Sequence, residues 1–372
     1  MSAPSLVLLA AGGTGGHLFP AQALATELAA RGVAIELATD ERAANYAKEF
    51  PARRIHPLPA ATPSGGSPLK KLGALFTLGR GVLAARGMIG KTRPDAIVGF
   101  GGYPTVPPML AGSMLGVTTI LHEQNGVMGR ANKFLAGRAT AIATGFAEVR
   151  GVEGKLADKA THVGNPVRAA VIAAAATPFR WAATEGVLRV LVFGGSQGAR
   201  VMSDVAPAAL SALPPEMRAR LRVVQQARLE DVERVRHRYE DSGIEAVVEP
   251  FFSDLPARMA ESHLVISRSG ASTVAELGVI GRPSILVPLP GAIDQDQAAN
   301  AETLMKIGAA KLLPQSEFIP RRLTQEIEQL MNDPAWLTSA AAAAKSAGIP
   351  DAAARLAALV GRVARLAEFK ES

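Results

Sequence analysis

The sequence predicts an α/β protein with two doubly wound parallel sheets, one in each half. Three observations carry that expectation. Short apolar runs alternate with stretches of helical apolar spacing. A glycine-rich turn joins run to helix at the start of each half. The chain's 372 residues also exceed what one ordinary core organises. With 48% hydrophobic and only 5% aromatic residues, the composition suits an Ala/Val/Leu-rich sheet protein.

The first half opens on the apolar run Leu6 to Ala11, which reads as a buried parallel strand. The turn Gly12-Gly13-Thr14-Gly15-Gly16-His17 follows, then helical spacing from Ala21 to Leu28. Such a turn frees backbone N–H groups and lets a phosphate or sugar approach the main chain, where the helix N-terminus adds partial positive charge. As a bare motif it is equally a tight βα turn whose histidine caps or packs. Its spacing is not the dinucleotide G-x-G-x-x-G, which argues against a nicotinamide enzyme. Further strands are expected at 33–38, 54–58, 96–100, 117–121 and 140–144, and a second glycine turn, Gly101-Gly102-Tyr103-Pro104, opens a helix.

The pattern breaks around Val163 to Arg168, which sets the expected boundary between a first domain at 1–166 and a second at 167–349. The second half then begins as the first did, with strand 188–193, glycine turn Gly194-Gly195-Ser196-Gln197-Gly198 and a helix from Ala199. Strands are expected at 221–225, 246–248, 264–267 and 284–287. The Ala-rich end, 336–369, reads as two helices broken at Gly348-Ile349-Pro350. Two similar domains facing one another across a cleft follow from this repetition.

Composition excludes several chemistries. There is no cysteine, so disulfides, zinc–thiolate sites and thiol nucleophiles are ruled out. The first residues lack a basic n-region, which points to the cytoplasm. No window reaches about 18 uninterrupted apolar residues, so no membrane span is expected. The net charge of +7 is concentrated: no acidic residue lies between Glu49 and Asp95, while Arg53, Arg54, Lys70, Lys71, Arg80, Arg86, Lys91 and Arg93 do. The aromatic interleaving that nucleic-acid stacking needs is missing, so no nucleic acid is expected. Within 68–93, Leu72, Leu75, Phe76, Val82, Leu83 and Ile89 fall roughly on one helical face among those cations. A basic amphipathic helix can lie in the headgroup plane, at about 1 kcal/mol per basic residue on anionic lipid. The alternative is a surface helix packing that stripe onto the core, and Gly73, Gly79, Gly81 and Gly87 weaken helix propensity either way.

The most specific constellation is Ser267-Arg268-Ser269-Gly270-Ala271-Ser272-Thr273-Val274-Ala275-Glu276, which leaves a strand and starts a helix. Small residues let a pyrophosphate reach the free N–H groups, and Glu276, about one turn in, can accept hydrogen bonds from vicinal hydroxyls such as a ribose's. A Ser/Thr-capped helix with Glu276 in solvent is the plain alternative. Glycine turns in both halves, together with this helix start, suggest a substrate with a diphosphate in its middle.

Six segments in order now resemble a known family. Gly12 to His17, Gly101-Gly102-Tyr103, His122-Glu123-Gln124-Asn125-Gly126, Gly164 to Arg168, Gly194 to Arg200 and Arg268-Ser269-Gly270 are similar to the MurG family of peptidoglycan glycosyltransferases. The likeness runs from the first strand to the C-terminal helix. It implies a GT-B fold, with the terminal helix (350–372) crossing back to an acceptor- and membrane-facing first domain. The second domain would bind the donor. It also implies inverting transfer of N-acetylglucosamine from UDP-N-acetylglucosamine to the 4-hydroxyl of undecaprenyl-diphosphate-linked N-acetylmuramyl-pentapeptide. This would happen at the cytoplasmic face of the plasma membrane, docked through the basic segment.

Carried over by motif, the donor contacts are Thr14, Gly15 and Gly16, Asn125, Arg168 at the hinge, and Ser196. Phe252 would meet the uracil through its backbone, Ala271, Ser272, Thr273, Val274, Ala275 and Glu276 would hold diphosphate and ribose, and Gln297 the sugar hydroxyls. Where the family commonly pairs two glutamines, this chain has Asp296-Gln297. His17 is the expected general base because its ordinary pKa is near neutrality, with Glu123 a second candidate. Helix amides and Arg168 would stabilise the leaving diphosphate. The aspartate pairs, Asp294-Gln295-Asp296 among them, do not sit at an obvious diphosphate loop, so neither metal nor cofactor is expected. The alternatives are a UDP-N-acetylglucosamine epimerase or other UDP-sugar glycosyltransferase of this fold, a nucleotide-dependent oxidoreductase, and a non-catalytic membrane scaffold.

Overall fold

The computed structural model describes residues 4–12, 15–40, 50–61, 68–181, 186–195, 198–291, 296–332 and 335–369, without the side chains of 68–71. They divide into two compact units, Met1–Arg168 with Pro350–Ser372, and Ala169–Ile349.

The first unit is built on seven strands: β1 (Leu6–Ala10), β2 (Ala34–Thr39), β3 (Arg54–Pro57), β4 (Ala96–Gly99), β5 (Thr118–Glu123), β6 (Ala141–Thr144) and β7 (Ala160–His162). All pair in parallel, in the order β3-β2-β1-β4-β5-β6-β7. β1 reads LVLLA because both of its faces are covered and every residue in it is buried. Its register sets Val7 opposite Ala96 and Ala34's neighbour Ile35. The helix Gly15–Ala30 buries Ala21, Leu24, Ala25 and Leu28 on one face of this sheet. Leu356, Ala357, Leu359 and Val360 of the terminal helix Ala352–Ala364 join the same core. The Glu368 carboxylate fastens the chain end by accepting a hydrogen bond from the Ser5 N–H at 2.8 Å.

The helix Pro68–Thr92 forms despite its glycines, and one of them shows why. A Cβ on Gly81 would lie 2.2 Å from the Pro59 carbonyl oxygen and 3.0 Å from the Pro107 ring, so glycine lets the helix lie close against the unit. Ala85 and Ile89 are buried, whereas Leu72, Phe76 and Leu83 are 68%, 70% and 72% exposed and Leu75 is exposed too. The predicted stripe therefore splits: Ile89 turns to the core, and the N-terminal part stays uncovered. Over Leu72–Thr92 the helix is long and apolar enough to cross a membrane by length and composition. A search for uninterrupted apolar runs does not register this, because basic residues and glycines interrupt the sequence. Lys70 and Lys71 have their side chains outside the described residues.

The second unit holds β8 (Leu188–Phe193), β9 (Leu221–Gln226), β10 (Glu245–Glu249), β11 (Leu264–Ser267), β12 (Ser284–Leu286) and β13 (Ala310–Leu312). They are parallel, in the order β10-β9-β8-β11-β12-β13. Leu188, Val190 and Val192 form one face of the core with Met202, Leu210 and Tyr239. The strands β7 and β13, three residues each, are additions to the expected set. Both lie at a sheet edge and present no apolar run of their own.

Each strand order reverses direction at one place, between β1 and β4 in the first unit and between β8 and β11 in the second. Ligands of open α/β sheets bind in the crevice at the carboxyl ends of such neighbours. The three glycine-rich turns and the helix start after Ser267 follow these four strands.

Candidate active site

In the first unit the loops after β1, β4 and β5 converge through backbone and side-chain bonds. The Phe100 N–H donates to the Ala10 carbonyl at 2.8 Å. The fully buried Thr105 hydroxyl reaches the Gly101 carbonyl at 2.5 Å, and the Gln124 amide donates to the Phe100 carbonyl at 2.9 Å. Gly101 and Gly102 have φ of 84° and 74°, a conformation in which a side chain is strained. The His17 ring lies against them: a Cβ on Gly101 would stand 3.5 Å from its Nε2, and one on Gly102 3.4 Å from its Cε1. His17 as a residue is half-buried, but its ring packs into this corner and burial lowers its pKa to about 4. At neutral pH it is therefore uncharged. Gly15 and Gly16 begin the adjoining helix, while Thr14 lies outside the described residues.

The segment after β5 is organised by a buried carboxylate. Glu123 Oε1 accepts hydrogen bonds from the Asn125 N–H at 2.9 Å and its side-chain amide at 3.3 Å. Oε2 accepts from the Gly129 N–H at 2.9 Å and the Asn132 amide at 2.8 Å. Burial pushes the Glu123 pKa up and these donors oppose it. A carboxylate so enclosed is spent on holding the Asn125–Gly129 loop and does not reach a substrate hydroxyl. This sets Asn125 in place and leaves His17 as the base candidate of the pair.

His122, fully buried beside the Phe100 ring, donates from Nε2 to the Gly164 carbonyl at 3.0 Å. The Asn165 amide donates to the Gln124 carbonyl at 2.9 Å. Together they tie the segment 164–168 to the end of β5 and bring Arg168 to the first glycine turn, its guanidinium 4.3 Å from the centre of the Phe19 ring. Burial also lowers the His122 pKa, from 6.5 to about 4. A histidine buried neutral is protonated first in the unfolded chain, so its stabilising contribution is complete above about pH 6.5 and lost as pH falls towards 4. The melting temperature is expected to decline over that window, and less steeply in His122→Gln, as calorimetry at several pH values would measure.

In the second unit the glycine turn follows β8, with Gly195 and Gly198 at φ of 89° and 66°. Ser196 lies outside the described residues. Gln226, buried at the end of β9, joins this turn to the next loop. Its Oε1 accepts from the Gly194 N–H and its amide donates to the Pro250 carbonyl, both at 3.3 Å. That loop carries Phe252, buried under the Arg258 guanidinium at 4.4 Å, which also pairs with Asp254 at 2.8 Å.

Between β11 and the helix Ala271–Ile280, Gly270 occupies the cap position in extended conformation and no side chain caps the helix. The Ser/Thr-capped alternative therefore does not hold, and the first-turn N–H groups of Ala271, Ser272 and Thr273 are available to a ligand. The Ser272 hydroxyl is buried without a hydrogen-bond partner among the described residues. Glu276 is 7% exposed rather than in solvent, one turn further in with Val274 and Ala275 beside it. Arg268 holds the neighbouring loop, donating to the Val287 and Pro288 carbonyls at 3.0 Å each. Ser269 donates to the Gln297 carbonyl at 2.7 Å, and Gln297 Oε1 accepts from the Leu289 N–H at 3.0 Å. The amide nitrogen of Gln297 is thus its remaining polar group for a sugar hydroxyl.

The glycosyltransferase family 28 N-terminal domain profile matches residues 7–144, and the family's C-terminal domain profile matches 189–356. The chain belongs to glycosyltransferase family 28. Among its family-28 relatives, a protein of Methylobacterium nodulans is 61% identical over 360 residues, 96% of each chain. That relative is named UDP-N-acetylglucosamine–N-acetylmuramyl-(pentapeptide) pyrophosphoryl-undecaprenol N-acetylglucosamine transferase. The crystal structure of Acinetobacter baumannii MurG matches with a TM-score of 0.78 and 29% identity, covering 96% of this chain and all of that one. The crystal structure of a putative UDP-N-acetylglucosamine 2-epimerase from Listeria monocytogenes matches at a TM-score of 0.69 with 16% identity, covering all of both chains. At that identity the likeness shows the fold alone. The chain is accordingly a family-28 hexosyltransferase of two Rossmann-like domains.

Residues that sequence reasoning missed are ones that hold the loops: Thr105, Asn132 and Gln226. Their only signal is polarity, which a single sequence does not distinguish from a solvated surface.

Proposed function

We infer that this chain transfers N-acetylglucosamine from its UDP donor to the 4-hydroxyl of a lipid-linked N-acetylmuramyl-pentapeptide, making a β-1,4 bond in peptidoglycan synthesis. The observation that carries the reading is 61% identity, spanning both units, to a relative named for that reaction. The epimerase alternative rests only on a shared fold.

The step is a single displacement with inversion. The acceptor oxygen bonds to the anomeric carbon while the carbon–oxygen bond to the diphosphate breaks and its electron pair leaves with UDP. The acceptor proton passes to a His17 ring nitrogen. His17 suits this because burial keeps it unprotonated, and the negative diphosphate raises its basicity once the donor is bound. Arg168 and the uncapped amides at Ala271 to Thr273 oppose the growing charge on the leaving group. Glu276 takes the ribose hydroxyls, Phe252 the uracil through its backbone, and Gln297 the sugar hydroxyls. Gly15, Gly16 and Asn125 complete the donor contacts, and Thr14 and Ser196 belong to them by motif.

The enzyme is proposed to work on the cytoplasmic face of the plasma membrane. Leu72, Leu75, Phe76 and Leu83 are exposed on a helix that also carries Arg80, Arg86 and Lys91, a combination suited to an anionic headgroup layer. Co-sedimentation with vesicles of phosphatidylglycerol, strong at low salt and lost in Leu75→Glu/Phe76→Glu, is the expected result. Equal binding by both proteins would remove the helix from the membrane contact.

Transfer of labelled N-acetylglucosamine, with UDP release followed in parallel, tests the reaction. Transfer that requires the lipid-linked acceptor is expected. UDP release or sugar isomerisation without the acceptor would favour the epimerase reading.

A further inference from the structure

The motifs assign no work to Phe19, two residues after the proposed base. The structure gives it two neighbours. Arg168's guanidinium carbon lies 4.3 Å from the ring centre, well inside the distance at which a cation is attracted to an aromatic face. A Cβ on Gly15 would meet the Phe19 ring at 3.0 Å, so the ring occupies the space that glycine leaves open. The ring thus touches both the first helical residue of the glycine turn and a cation carried in from the end of the 164–168 segment. That segment is itself fastened to β5 by His122 and Asn165. An arginine side chain has four rotatable bonds to order, and the only aromatic face stacked on it among the described residues is Phe19.

We propose that Phe19 is a positioning residue for Arg168, holding its guanidinium over the ring beside the glycine turn so that it is set before the donor arrives. The proposal rests on the reading that Arg168 meets the leaving diphosphate. Preset geometry matters most in the transition state, where charge on the leaving group is largest, so the effect falls on turnover more than on donor affinity. A leucine keeps apolar contact with Gly15 and removes the ring's quadrupole, whereas tyrosine keeps both.

The experiment is a four-enzyme kinetic cycle of wild type, Phe19→Leu, Arg168→Ala and the double variant, with Phe19→Tyr as the rescue. In Phe19→Leu, kcat is expected to fall about tenfold, the size of a partly desolvated cation–π contact, with donor KM nearly unchanged. Phe19→Tyr should recover most of the rate, and Phe19→Leu should cost nothing further once Arg168 is alanine. The ring-current shift on the Arg168 Nε proton, read by NMR, should vanish in Phe19→Leu and persist in Phe19→Tyr, and melting curves should show both variants folded. A full-rate Phe19→Leu beside an impaired Arg168→Ala overturns the proposal and leaves the role of Arg168 standing. A full-rate Arg168→Ala overturns the reading beneath it. Equal losses on adding Phe19→Leu to either background show that Phe19 acts elsewhere, and overturn the proposal as well.

Discussion

Replacing His17 by alanine is expected to lower turnover by about two to four orders of magnitude, the contribution of a positioned general base, while donor KM stays nearly constant. The split follows from where the ring sits. It packs against Gly101 and Gly102 at the carboxyl ends of β1 and β4, in the first unit, whereas the residues proposed for the uracil and ribose, Phe252 and Glu276, lie on the second. Removing the ring takes away the proton acceptor and little of the donor's binding surface. The pH profile gives an independent check. Burial holds the free enzyme's His17 at about 4, so the loss of kcat/KM on protonation is expected as pH falls through about 4, with no limb near 6.5. A conventional imidazole limb would mean that the ring is wet and that the corner made by the two glycines does not desolvate it. An unchanged rate in His17→Ala would remove it as the base altogether, and Glu123 would not inherit the role, because both of its oxygens are occupied by loop donors.

The same contrast shows what a single sequence discloses. Buried parallel strands announce themselves because covering both faces forces a continuous apolar run, as in Leu6–Ala10 and Leu188–Phe193. Glycine turns are equally visible, since glycine alone takes φ near +80°, as at Gly101 and Gly195, without strain. The short edge strands Ala160–His162 and Ala310–Leu312 leave no such trace. Neither does the difference between a carboxylate that reacts and one that braces. Glu123 looks like a base candidate in a His-Glu-Gln-Asn motif, and only the arrival of Gly129 and Asn132, six and nine residues on, decides against it. The helix Pro68–Thr92 errs the other way. Its glycines argue against a helix until Pro59 and Pro107 are seen to need the space at Gly81. Local propensity is overruled wherever a partner far along the chain sets the energetics.

Glu276→Ala is expected to raise the donor KM about ten- to a hundredfold and to change kcat much less, because hydrogen bonds from a charged acceptor are each worth roughly 1.5–3 kcal/mol. The carboxylate is 7% exposed and stands one turn into a helix whose first N–H groups carry no side-chain cap. A diphosphate on those amides puts the ribose of a nucleotide within the next turn, so one residue type at one spacing serves both parts of the ligand. The ribose takes no part in the bond that forms or the bond that breaks. A ribose hydroxyl is bound alike in ground and transition states, so its loss appears as uniform weakening. A substrate variant separates this from general damage to the helix. Against a UDP-sugar lacking the 2′-hydroxyl, the wild type should discriminate by a large factor and Glu276→Ala hardly at all, since the alanine has nothing left to satisfy. Should kcat fall while KM and the 2′-hydroxyl preference persist, Glu276 is not on the ribose. Its burial would then serve the packing of the helix instead.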